Sequence, residues 1–191
     1  MRIIAGKYKR TPILTLEGDD ITRPTRDMVK EALFSTISIE EDTVFLDLFS
    51  GSGSIGLEAL SRGAKTVVFN DVNKDAVRII RSNLRKVREE REVYNLDYQD
   101  CLKKLEGCRF DYIYCDPPYR FSEHEKLFSL VEEYSLLDEK GIMIMEVRKD
   151  TDLAETYPGV HLFKEKRYGI SKLLYYKKEI SDDQGNLSGN V

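Results

Sequence analysis

From Thr43 onward the chain alternates short apolar runs with amphipathic stretches, and this alternation constrains the fold more than any other feature. Val44–Leu48, Thr66–Asn70, Glu92–Leu96, Phe110–Cys115 and Gly141–Val147 read as strands. Helical patterns lie between them at Ile55–Arg62, Lys74–Glu90, Cys101–Leu105 and Glu123–Tyr134. In the longest, Ala76, Val77, Ile80, Leu84 and Val87 form one apolar stripe. Strands alternating with helices imply a mostly parallel sheet covered on both faces. Two last strands, Val160–Lys166 and Lys172–Lys177, flank Tyr168-Gly169. A parallel crossover needs roughly a dozen residues, so these two pair antiparallel and one strand of the sheet is reversed.

Ahead of the alternation, Arg2–Ala5 and Thr11–Leu16 read as the strands of a hairpin, followed by a polar turn at Glu17–Asp20. Arg23-Pro24-Thr25 opens a helix with Thr25 as its N-cap and Asp27 in its first turn. Its apolar stripe is Met28, Val29, Ala32, Leu33, Phe34 and Ile37. The expected organisation is a single domain over residues 1–179, with 1–22 as a hairpin extension and the polar residues 180–191 as a disordered tail. No apolar run approaches a membrane span, and the first residues lack the apolar core of a signal peptide. A cytoplasmic protein that engages no membrane, and a monomer, is expected. Cys101, Cys108 and Cys115 are odd in number and form no C-x-x-C pair; His124 and His161 lie far apart. Neither a disulfide framework nor a metal site is expected, and Cys115 reads as a small core hydrophobe.

Two strand ends carry chemistry. The run ending at Cys115 is followed by Asp116-Pro117-Pro118-Tyr119. Two prolines cannot continue a sheet ladder, because each lacks an N–H, and both hold the residue before them extended. The result is a stiff turn that fixes one carboxylate, offers carbonyl oxygens without competing donors and sets an aromatic ring beside them. A planar base with an exocyclic amine suits such a place.

The other is Asp47-Leu-Phe-Ser-Gly51-Ser-Gly53-Ser-Ile-Gly56, which follows the first strand of the alternating region and opens its helix. Gly51-x-Gly53-x-x-Gly56 matches the dinucleotide fingerprint, with Asp71 about twenty residues on. A nicotinamide enzyme is therefore one reading. Asp47 favours another. A carboxylate beside a pyrophosphate is repelled, whereas one beside a sulfonium and an ammonium is attracted. S-adenosylmethionine carries both cations and no phosphate, and the loop amides can receive its carboxylate. Asp71 would take the ribose hydroxyls and Asp100 the adenine amine. Asp47, Asp71, Asp100 and Asp116 are read as closing four successive strands at the carboxyl-end crevice where ligands of open α/β sheets bind.

Arg2-Ile-Ile-Ala-Gly-Lys-Tyr, the stretch from Arg23-Pro-Thr-Arg-Asp-Met to Phe34, Asp47–Gly56 with Leu57-Glu-Ala-Leu-Ser-Arg-Gly63, Asp116-Pro-Pro-Tyr119 and Arg167-Tyr-Gly169 occur in this order. Together they make the chain resemble the RsmD-type bacterial 16S rRNA guanine-N2 methyltransferases over roughly residues 1–178. The resemblance implies a class I S-adenosylmethionine-dependent methyltransferase fold: a Rossmann-like, mostly parallel α/β sheet with one antiparallel strand, preceded by a β-hairpin and a helix. It implies methylation of one guanine N2 amine in 16S rRNA, with RNA in a small-subunit particle as partner. The expected catalytic set is Asp116, Pro117, Pro118 and Tyr119. The expected cofactor set is Asp47, Phe49, Ser50, Gly51, Ser52, Gly53, Asp71, Val72, Asp100 and Cys101.

The net charge of −4 alone argues against a nucleic-acid partner, but its distribution does not. Arg2, Lys7, Lys9 and Arg10 lie in an N-terminal stretch without acids, and Lys166 and Arg167 lie in a basic C-terminal one. These residues, with Arg23, Thr25 and Arg26, form the expected RNA-binding set, and the two basic ends are expected to make one face flanking the pocket. An amino-methyltransferase acting on DNA adenine N6 or on a protein amide shares Asp-Pro-Pro-Tyr; a non-enzymatic RNA-binding module is the remaining reading.

Overall fold

The structure, a computed structural model, describes residues 1–16 and 23–178, with only the backbone described for 23–26. The expected Glu17–Asp20 turn and the 180–191 tail lie outside these residues. Along the chain run α1 (Arg23–Phe34), β1 (Val44–Asp47), α2 (Ser54–Arg62), β2 (Thr66–Asn70), α3 (Lys74–Lys86), β3 (Val93–Tyr94), α4 (Tyr98–Lys104), β4 (Phe110–Cys115), α5 (His124–Glu133), β5 (Leu137–Arg148), β6 (Thr156–Tyr157), β7 (Val160–Tyr168) and β8 (Ser171–Lys178). The strands form one sheet in the order β3-β2-β1-β4-β5-β8-β7-β6. The β3-β2-β1-β4-β5 half is parallel. The expected reversed strand is β8, which fits between β5 and β7 and pairs antiparallel with both. A short edge strand not expected from the residues, β6, also runs antiparallel, on β7.

The alternation of strand residues sorts the core into two layers. Leu46, Val68, Ile113, Cys115, Met143 and Met145 face a cluster with Tyr98, Leu102, Leu127 and Phe128 of α4 and α5. Phe45, Val67, Phe69, Tyr114 and Ile144 face the opposite cluster with Leu33, Leu57, Leu60, Ile80 and Leu84 of α1, α2 and α3. Cys115 is thus a core hydrophobe, as read from the sequence. Among the described residues no helix is long and apolar enough to cross a membrane.

Three local expectations are corrected. The N-terminal pair of strands is one isolated bridge, Arg2 to Pro12, closed by Ile3 N–H to Thr11 O and Arg10 N–H to Ile3 O. Helix α1 starts at Arg23, so Thr25 lies inside it rather than at its cap, and the first turn holds no acid. Pro24 is tolerated there because its missing N–H has no partner in the first turn anyway. Helix α4 starts three residues earlier than read, at Tyr98, because Asp97 caps it by accepting from the Gln99 amide.

A ladder does not hold the N-terminal segment; α2 does. Glu58, fully buried on α2, accepts from the Ile4 amide at 2.8 Å and the Ala5 amide at 2.9 Å. It also pairs with Arg62 at 2.9 Å and with buried Lys30 at 3.5 Å. Lys30 Nζ in turn donates to the Arg2 carbonyl at 2.6 Å, and burial pulls its pKa down. Further along, a Cβ on Gly6 would stand 1.7 Å from the Ser61 carbonyl oxygen, so only glycine fits at this φ of +79°. Glu58→Ala leaves Lys30 buried without its acid and two amides without an acceptor. We expect it to cost about 3–5 kcal/mol in urea unfolding; a loss below about 1 kcal/mol would mean the segment is held otherwise.

Candidate functional site

The sheet order sets the crevice. From β1 the chain winds outward through β2 to β3, then returns to place β4 on the other side of β1. Loops after β1 and β4 therefore diverge at their carboxyl ends, which opens a gap there. Asp47 is the last residue of β1; Asp71 and Asp116 follow β2 and β4 directly. The fourth acid departs from the expectation: Asp100 lies in the first turn of α4, exposed, not at the end of β3. Its neighbour Cys101 is fully buried in the core.

The three glycines have separate reasons. Gly51 (φ +53°) and Gly53 (φ +75°) take left-handed conformations in the turn from β1 to α2. Gly56 lets α2 approach β2: a Cβ there would lie 2.3 Å from the Phe69 ring. Buried Ser50 and Ser52 complete the loop. Two asparagines that the sequence reading missed brace it. Asn70 Nδ2 donates to the Leu48 and Leu96 carbonyls, each at 3.1 Å, joining the loops after β1 and β3. Asn83 Nδ2 donates to the Ser52 and Leu14 carbonyls, each at 3.0 Å, fastening the N-terminal segment to the glycine loop. Their sequence signal is weak, since a buried Asn on an apolar stripe looks like a surface residue.

Asp47 is 1% exposed, and its Oδ2 accepts from the Gly56 amide at 2.9 Å. Burial pushes its carboxyl from an ordinary 3.8 up to about 7; the Gly56 and Ser50 hydrogen bonds oppose this and the Asp71 charge adds to it. Asp71 accepts from the Gly51 and Asn73 amides, each at 2.8 Å, one per oxygen. Each oxygen retains a lone pair for a further donor.

Two cavities meet here. One, of about 370 Å³, is lined by Asp47, Phe49, Ser50, Gly51, Asp71 and Val72, with Met1 and Leu16 of the N-terminal segment at its side. A smaller one, of about 110 Å³, is lined by Pro117, Tyr119, Phe121, His124, Arg148 and Ile170. Val29, Asp116, Pro118 and Glu146 line both. Tyr119 is 61% exposed, with the Arg148 guanidinium 5.8 Å from its ring centre. Glu146 was not among the expected residues, yet it sits at the junction and accepts from the Tyr114 hydroxyl. Burial, with the Glu146 charge, holds Tyr114 protonated well above its ordinary range. The signal was available: Glu146 is a lone acid near the end of an apolar strand.

The basic ends do not form the expected single face. Lys166 and Arg167 lie in β7 just before the β7–β8 turn; Ile170 of that turn and Ser171, which opens β8, line the smaller cavity. Lys7, Lys9 and Arg10 lie at the other end of α2: the Lys7 amide donates to the Ser61 carbonyl and its ammonium pairs with Glu89 beyond α3, at 2.8 Å. Since the glycine loop precedes α2, a helix of nine residues, about 13 Å long, separates the tip from the cavity. Arg2 is exposed near the bridge. The side chains of Arg23, Thr25 and Arg26 lie outside the described residues. Among the described residues no cluster of histidine, cysteine and acid side chains is arranged to hold a metal ion.

A family model described as conserved hypothetical protein 95 matches residues 1–177. The chain belongs to this family, the RsmD type. It is 37% identical over 184 residues to ribosomal RNA small subunit methyltransferase D of Haemophilus influenzae, covering 93% of each chain. The crystal structure of HI0767 from Haemophilus influenzae superposes with a TM-score of 0.77 at 34% identity, covering 94% of this chain and 98% of that one. The structure of yhhF from Escherichia coli gives 0.81 at 27% identity, covering 94% and 98%. The fold is that of class I methyltransferases, and the cofactor is S-adenosylmethionine. The RsmD-type site fits that cofactor: a buried acid whose charge is costly calls for a cationic ligand, and the adjoining loop presents free space over Gly51, where a Cβ would meet nothing within 4 Å.

A raised carboxyl pKa has a signed consequence. Asp47 contributes fully to stability below pH 3.8, and the contribution is lost as pH rises to about 7, because the folded chain holds the proton longer. The whole change is on the order of 4 kcal/mol. Urea unfolding of the ligand-free protein should show this decline between those values, and Asp47→Asn should remove it.

Proposed function

We propose that this protein transfers a methyl group to the exocyclic N2 amine of one guanine in 16S rRNA, within a small-subunit particle. The observation that carries the reading is the junction itself: Asp116 and Pro118 line both cavities, so one stiff turn touches the place of the methyl donor and the place of its acceptor. The choice of RNA is supported by relatives named for small-subunit rRNA.

S-adenosylmethionine supplies an electrophilic methyl group on a sulfonium. In the larger cavity Asp47 would balance its cationic end and Asp71 would take its ribose hydroxyls; the Gly51 and Gly53 amides are already given to Asp71 and to the Ser50 carbonyl, so they hold the loop's shape rather than the cofactor's carboxylate. Phe49 and Val72 complete the proposed adenosine side; Asp100 and Cys101, expected there, line neither cavity. In the smaller cavity the work falls to the Asp-Pro-Pro-Tyr turn. A guanine amine has its lone pair spread into the ring. Hydrogen bonds from that amine to Asp116 and to the Pro117 carbonyl would localise the pair and aim it at the junction. Tyr119, exposed at the mouth, would stack the base, which must leave its own stack to enter. Catalysis of this kind is positioning plus electrostatics.

Methyl transfer from tritiated S-adenosylmethionine to small-subunit particles and to naked rRNA, followed by nucleoside analysis, tests the reading. N2-methylguanosine is expected; label in DNA adenine or a peptide amide would replace it with the rival amino-methyltransferase reading. Asp116→Ala should nearly abolish turnover while leaving cofactor affinity within a few-fold. Tyr119→Ala should lose about 1–3 kcal/mol of stacking, and Tyr119→Phe should retain most activity. Equal damage from Phe and Ala would assign the role to the hydroxyl. Cofactor affinity should also weaken as pH falls below about 7, because protonated Asp47 no longer offers a charge to a cation; calorimetry across pH reads this directly.

A further inference from the structure

The exposed face of α3 carries Lys74, Arg78, Arg81 and Arg85, spaced four, three and four residues apart, and Arg88 continues the row just beyond the helix. All five are exposed. Lys86 lies beside them and donates to the Pro12 carbonyl at 2.9 Å. Residues at this spacing stack on one helix face, so Lys74 to Arg85 form a continuous strip of positive charge about 16 Å long. The only acid within α3 is Asp75, which pairs with Arg78 at 2.8 Å.

Like charges at these spacings oppose helix formation, and a helix that faces only solvent normally interleaves acids among its bases. A basic helix at a membrane surface would turn an apolar face outward. Here Ala76, Val77, Ile80 and Leu84 are buried against the sheet, so charge alone is presented. The strip also has a continuation. Glu89 binds Lys7 at 2.8 Å, Arg91 at 2.6 Å and the Tyr8 hydroxyl, and so draws the tip of the N-terminal segment to the far end of α3. Exposed Lys9 and Arg10 thereby extend the row, with Glu90 and Glu92 as the acids at its margin. At the near end, Lys74 follows Asp71 and Val72 of the cofactor cavity by a few residues.

We propose that α3 and the N-terminal tip form a track for the sugar–phosphate backbone of the RNA that carries the target base, gripping it away from the acceptor cavity. The proposal rests on the RNA reading above and gives the N-terminal cations a place in it: they serve this track, not the rim of the pocket. Phosphate contacts hold and orient RNA without reading its sequence, and each neutralised phosphate releases counterions.

The test is steady-state methylation of small-subunit particles across salt concentrations, with the full chain and with the triple variant Arg78→Glu, Arg81→Glu, Arg85→Glu. The variant should raise KM for particles about tenfold or more at low salt and leave kcat and calorimetric cofactor affinity unchanged. The plot of log affinity against log salt should become shallower by about 2–3, near 0.9 for each phosphate that the variant leaves unneutralised. The corresponding triple Lys variant should restore both, because a phosphate track needs charge and not a guanidinium fork. KM and salt slope within twofold of the parent protein would overturn the track while leaving the methyltransferase reading intact. If the parent protein binds phosphatidylglycerol vesicles through this face and the particle KM is unaffected by the charge reversal, the partner is a membrane and the proposal fails. If the parent protein labels no RNA at all, the functional reading fails and the track falls with it.

Discussion

The structure depends on one pairing above the others, β1 against β4. It brings together two strands far apart in sequence, in parallel, with Leu48 N–H bonded to the Tyr114 carbonyl at 3.0 Å just past the end of β1. Because β2 lies on the other side of β1, the connections after β1 and β4 turn away from each other. The gap this leaves is the crevice, and it collects the carboxylates that the strand ends carry. Without that pairing Asp47 and Asp116 would be two unrelated turn residues.

Electrostatics at the crevice follows from depth. Asp47 is almost wholly buried where it lines the larger cavity, and its charge is costly there. Asp116, one strand over, is exposed at the junction of the two cavities. The same residue type thus has opposite surroundings a short distance apart, one suited to balance a cation within the fold and the other to meet a substrate arriving from outside. Tyr114 and Glu146 join these surroundings from below, through the hydroxyl of one and the carboxylate of the other.

The N-terminal segment is bound to the domain by side chains of α2 and α3 more than by its own bridge. Glu58 takes its amides, Ser61 takes the Lys7 amide on its carbonyl and the Tyr8 amide on its hydroxyl, and Asn83 takes Leu14. The segment runs from Met1 at the larger cavity down α2 to its basic tip and back to Leu16 at the cavity again. It is therefore both a wall of the site and the carrier of a distant charge cluster.

Much of this was legible in the residues. Alternating periodicity located the parallel core, the short Tyr168-Gly169 connection required an antiparallel pair, and the glycine spacing with strand-end acids marked the crevice, because each depends on contacts or backbone rules local to a few residues. What local pattern does not contain is the distance between segments. Asp97 drew α4 forward and moved Asp100 off a strand end onto a helix. The helical stripe of Lys74, Arg78, Arg81 and Arg85 was present as letters, yet its union with Lys9 and Arg10 appears only once Glu89 folds beside Lys7. The two basic ends looked like one face by composition, and α2 holds one of them a helix length from the pocket. Sequence determined which groups exist and what backbone they favour; tertiary structure decided which meet, because burial and strand pairing act between residues that the chain itself keeps far apart.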